Sequence, residues 1–211
     1  MLEINQKRTN NINIIGFLSA ILGTIIFIIL ISIAHIYAHA AGYIIKELEL
    51  SELVLDSNIA KILFNTGVIF YGICLLIALM TAIPYFKEKK KHKIFIPLAI
   101  ITCISLIGVG VFSEDQFLNF HLVVAFIFYL CGGTLAIYSS IIFVKYDKTI
   151  PLFYSIIGFS AVFMLIFNIV TRWFFGQAYT QRIAICLFIL YFLLISGKIL
   201  LNNLIVMNKE N

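Results

Sequence analysis

Few residues in this chain are equipped for chemistry, and most of them are histidines and carboxylates. Three of the four histidines, His35, His39 and His121, fall near the ends of apolar runs, and Glu114 and Asp115 fall at a similar depth. His35 and His39 are four residues apart, which on a helix places both rings on one face, as a helical metal-binding pair requires. The pattern admits a metal site in which His35, His39 and His121 ligate zinc or another divalent ion. Glu114 or Asp115 would then serve as a fourth ligand or as general base for metal-bound water. A bis-histidine haem between two helices is another use of the same rings. The alternative is structural: interfacial histidines bridge hydrocarbon and headgroup and hydrogen-bond to neighbouring loops.

Arg172 and Arg182 are the remaining candidates, lying beside Trp173 and Tyr179. Their planar forks suit a lipid phosphate. They equally suit ion pairs with Glu114, Asp115 or the acidic residues between Glu47 and Asp56.

The elements that must position these groups are long and apolar. Of 211 residues 62% are hydrophobic and 12% charged, and the mean hydropathy is +1.07. That leaves too little polar surface to cover a water-soluble globule. Runs at about 12–34, 62–83, 94–112, 119–144, 150–170 and 183–201 are each close to the roughly 20 residues a spanning helix needs. The first run exceeds the roughly 7–15 residues of a signal-peptide core, so despite Ala38-His39-Ala40 it is expected to stay as an uncleaved helix. The expected fold is all-α: a single bundle of six transmembrane helices, with the segment from Tyr43 to Lys61 outside as a strand or a short interfacial helix.

Lys87-Glu88-Lys89-Lys90-Lys91-His92-Lys93 sets the orientation. Each lysine near the bilayer centre would cost roughly 2.5–3.5 kcal/mol on insertion scales, so this stretch lies in water, and short Lys-rich turns stay cytoplasmic. Alternating the six runs from it puts eleven of the fifteen basic residues inside and leaves Lys46, Lys61, Arg172 and Arg182 outside. Both termini are therefore expected in the cytoplasm, the protein in the plasma membrane. The net charge of +5 is concentrated in that turn without aromatic interleaving. It points to anionic lipid headgroups and away from nucleic acid.

No Asp, Glu, Arg or His lies near the middle of a run, where proton relays and coupling ions need them. A coupled pump is disfavoured. Cys74, Cys103, Cys131 and Cys186 fall in different runs without CxxC spacing and read as small apolar fillers. Asn65 and Asn168 read as interhelical hydrogen-bonding groups, and Gly108-Val109-Gly110 and Cys131-Gly132-Gly133 as surfaces for close helix approach.

Several short stretches carry a resemblance: Leu50-Ser51-Glu52-Leu53, Phe64-Asn65-Thr66-Gly67 with Gly72, Gly110-Val111-Phe112 with Glu114 and His121, and Gln181-Arg182 where a Glu-Arg would be expected. From Leu50 to Leu201 the chain resembles the uncharacterised membrane family called domain of unknown function 998. That family is similar in outline to the damage-regulated autophagy modulator group. The resemblance implies six helices with both termini on one side and implies no activity. The expected function is a non-enzymatic membrane component without cofactor that contacts lipids, further copies of itself or other membrane proteins. The other class left open is a metal-dependent hydrolase or lipid-modifying enzyme using the external histidines and carboxylates.

Overall fold

In hydrocarbon a backbone N–H or C=O must be satisfied within its own segment, so apolar runs poor in breakers become long helices. The computed structural model describes residues 2–42, 49–83, 89–146, 152–175 and 179–210. Among these there is no strand, and the helices are α1 (Leu2–Ala40), α2 (Leu53–Asp56), α3 (Asn58–Thr81), α4 (Lys89–Val111), α5 (Glu114–Tyr146), α6 (Leu152–Phe175) and α7 (Tyr179–Glu210). Five helical stretches are long and apolar enough to cross a membrane: Asn11–Ala40, Asn58–Thr81, Lys93–Val111, Glu114–Ile142 and Thr180–Leu201. A shorter apolar stretch, Ser155–Asn168, belongs to α6.

The helix ends have local causes. α1 stops where Gly42 takes φ +108° and its N–H bonds to the carbonyl of His39 at 3.1 Å, a left-handed cap that favours glycine. α3 starts at Ser57, extended, whose hydroxyl accepts from the N–H of Ala60, an ordinary N-cap. Between α4 and α5 only Phe112 and Ser113 interrupt the helix. Residues 114–118, which lie between two of the apolar runs, form the first turns of α5, bent at Phe117 (φ −134°, ψ 46°). Glu114 and Asp115 thereby sit at a helix N-terminus, where negative charge is favoured.

Polar ends are also more helical than the hydropathy runs suggested. Lys89 to Lys93 form the start of α4, with Pro97 inside that helix, and α6 and α7 continue through 171–175 and 179–182, beyond the apolar runs. Lys87, Glu88, Pro84, Pro151 and the Glu47-Leu48 pair lie outside the described residues. Of the segment from 43 to 61, the described residues 49–61 contain the helix α2 and the start of α3 and no strand.

Each long helix packs against its neighbours in sequence, and α1 closes the set against α7, so the six form a ring. The outward face of α1 carries Leu18, Leu22, Ile25, Ile29 and Ile36, all half or more exposed. Ala20, Phe27, Ile31, Ala34 and Ala38 are buried on the other face. An apolar outer stripe of this length belongs against lipid.

Small residues and one polar knot hold the ring. A Cβ on Gly23 would meet Cys74 Cβ at 2.5 Å, and one on Gly110 would meet the Asn65 carbonyl oxygen at 2.8 Å. α3 is thus drawn close to α1 and to α4, the use membranes make of small residues. Toward the other end of α5, the fully buried Tyr191 of α7 donates to the carbonyl of Ala136 at 3.0 Å. Its oxygen also lies 2.7 and 2.9 Å from the hydroxyls of Ser139 and Ser140. Ser155 of α6 donates to the Ser140 carbonyl at 3.2 Å, so one buried network ties three helices together.

Candidate functional site

At the end of the ring where α1, α4 and α6 finish and α3, α5 and α7 begin, the segment 49–56 folds inward as a plug. Its Leu50, Leu53 and Val54 are buried, which draws its polar backbone out of water. Gln181, at the start of α7 and itself buried, answers that demand. Its Oε1 accepts from the N–H of Leu50 at 2.8 Å and its Nε2 donates to Glu49 Oε2 at 3.0 Å. Tyr129 of α5 shares a hydrogen bond with the same amide. Beside it Thr180 donates to Asn168 Oδ1 at 2.7 Å, so Asn168 makes the interhelical bond its position suggested. Asn65 does not: its Oδ1 is buried without a hydrogen-bond partner.

Beneath this cap lies a cavity of about 550 Å3, within the usual size of ligand pockets. Every long helix contributes to its wall, as Phe27, Phe64, Leu106, Phe128, Val162 and Phe188 illustrate. At the capped end the lining includes Glu49, Ser51, Glu114, His121, Asn168 and Gln181, with Tyr71, Tyr129 and Thr134 further along the wall; among the described residues no Lys or Arg lines it. The cavity also reaches the flank of the ring. Phe126 and Leu130 of α5 and Ile166 of α6 line it yet are 66%, 56% and 57% exposed, so the opening lies between those two helices, on the lipid-facing side.

The sequence-derived candidates are distributed around this end. His121 is 3% exposed, and its Nδ1 lies 2.8 Å from the Phe112 carbonyl, which can only accept, so Nδ1 carries the proton. Its Nε2 faces Glu114 Oε2 at 3.8 Å. Asp115 turns away to Lys61 Nζ at 2.6 Å and to the Ser113 hydroxyl. His35 and His39 lie on α1, which packs against α3 and α7, whereas His121 lies on α5, between α4 and α6. The Nδ1 of His35 is taken up by the Ile31 carbonyl at 2.8 Å, and Arg182 is its charged neighbour. Arg172 is in α6, its side chain outside the described ones. Among the described residues no three His, Cys, Asp or Glu side chains come together as a metal site would need.

Sequence reasoning therefore found Glu114 and His121 and missed Gln181, Glu49 and Tyr129. Gln181 had a signal of its own as an amide at the entry to an apolar run. Tyr129 had none, because its burial depends on a partner far away in the chain.

This is an all-helical chain with the make-up of a multi-pass membrane protein. Compared with known protein families, with curated proteins and with solved structures, it matches none.

Proposed function

We propose that the protein is a plasma-membrane component of six spans, both termini cytoplasmic, that holds a lipid-like amphiphile and does no covalent chemistry on it. The observation that carries this reading is the cavity: apolar along its length, polar at its outer end and open sideways between α5 and α6. A chain lying in it meets aromatic and aliphatic walls, while its head reaches the cap. Entry from the side spares the ligand passage through water. The sixth span is α6, Leu152–Phe175, whose sequence is apolar over most of its length. The lysine-rich start of α4 supports the orientation, since it lies at the opposite end of the ring from the cap.

The test is lipid analysis of the purified protein beside a variant whose cavity is filled. Gly133 lines the cavity, and a Cβ there meets nothing nearer than Val162 at 3.7 Å, so Gly133→Leu grows into the space. A co-purifying amphiphile present in the wild type and lost in Gly133→Leu supports the proposal. Equal lipid content in two folded proteins refutes it.

A further inference from the structure

The polar cap is unbalanced in a way that selects a ligand head. Among the described residues, the two charged ones that line it, Glu49 and Glu114, are both acidic. Glu49 is engaged by Gln181, whereas Glu114 Oε2 is buried and accepts no hydrogen bond. The nearby polar atom is His121 Nε2, at 3.8 Å, beyond hydrogen-bond range. Because Nδ1 spends its proton on the Phe112 carbonyl, Nε2 of the neutral ring is a lone pair. With the ring neutral, two acceptors face each other across a gap at the top of an apolar chamber. A buried carboxylate without a donor is costly, and the chamber below is lined with aromatic rings, Phe128 and Tyr129 among them.

Resting on the reading of the cavity as an amphiphile site, we infer that its ligand carries a primary amine head. The ammonium bridges Glu114 Oε2 and His121 Nε2, and the apolar chain runs down between α5 and α6. An ammonium has three donors and no acceptor, which matches a site that offers acceptors. A carboxylate head, or a phosphate without an ammonium beside it, would instead bring a third negative group beside Glu49 and Glu114 with no cation to offset it. The amine can come from a membrane lipid with an ethanolamine head or from a free hydrophobic amine. Both offer the same donors.

The experiment is native mass spectrometry of the full chain released from a neutral sugar detergent. It is titrated separately with dodecylamine, dodecanol, dodecanoate and lyso-phosphatidylethanolamine. Half-saturation by dodecylamine at about a tenfold lower concentration than dodecanol or dodecanoate, a difference of about 1.4 kcal/mol, is expected. Glu114→Gln should abolish that preference, while Asp115→Asn, which alters a carboxylate outside the cavity lining, should keep it. A stronger response to the lysolipid than to dodecylamine identifies a membrane lipid as the source, and the reverse a free amine; both support the amine head. Equal binding of all three dodecyl compounds, lost in Gly133→Leu, overturns the head assignment and leaves the cavity reading standing. Binding of none of the probes overturns both. The comparison of heads on the wild type decides the question even if Glu114→Gln does not fold.

Discussion

Gly133→Leu tests the cavity by two readouts together, stability in the delipidated protein and retention of amphiphile. Gly133 is buried in the middle of α5, where glycine costs roughly 0.5–1 kcal/mol relative to alanine. The nearest atom to its added Cβ is 3.7 Å away and the space beyond is part of a cavity of about 550 Å3. If the leucine fills about 80 Å3 of it, the gain at about 24 cal/mol per Å3 is about 2 kcal/mol. For a chain of this length that corresponds to a rise of roughly 4–8 °C in Tm. The assay is thermal unfolding in a neutral detergent after exhaustive delipidation, paired with mass analysis of bound amphiphile before it. A stabilised variant that no longer retains amphiphile is expected. A variant that loses stability would show that the space round Gly133 is closed by the neighbouring helices, and the geometry argued from it would be wrong.

Gly110→Ala should act the other way, since its Cβ would sit 2.8 Å from the Asn65 carbonyl oxygen; α3 and α4 must part, and a loss of about 1–3 kcal/mol should appear in the same unfolding assay. Tyr191→Phe removes the hydroxyl that meets Ser139, Ser140 and the Ala136 carbonyl. Leaving buried partners unsatisfied costs about 1–3 kcal/mol, with ligand binding unchanged. Lys61→Ala breaks the ion pair to Asp115, but both side chains keep contact with solvent, so the change should stay below about 1 kcal/mol. On the proposed orientation, replacing Lys87, Lys89, Lys90, Lys91 and Lys93 by Gln cuts the eleven inside charges to six against four outside. A cysteine at the exposed Asn58, in a background without the four native ones, should then become reactive to an impermeant maleimide from both faces instead of one.

The helices were legible because hydropathy over some twenty residues reports a solvent, and that solvent demands backbone self-satisfaction. Their ends were not. Lys89–Lys93 is polar and reads as a turn, yet charge does not stop a helix once it leaves the hydrocarbon. Only the local geometry does, as at Gly42 or Ser113. The inward fold of 49–56 was equally hidden, because what buries Leu53 is the surface formed by helices distant in sequence.

The two glycine pairs explain why the site itself escaped. Gly108-Val109-Gly110 and Cys131-Gly132-Gly133 carry the same message in the sequence: small residues, hence close helix approach. In the ring Gly110 obeys it, pressed against the backbone of α3, while Gly133 faces Val162 across ordinary contact distance and borders the cavity. The difference lies in what stands opposite. Such pairings are set by the order of the ring, and the order follows from all six helices closing together, α1 against α7. The histidines followed the same logic. Their spacing put His35 and His39 on one face of α1, but the ring carried His121 to α5, where its partner is Glu114. A sequence tells which residues reach one depth. Which of them meet depends on the circuit of helices round that depth, and here the circuit pairs a carboxylate with a histidine over an apolar chamber and leaves the metal-binding spacing of α1 elsewhere.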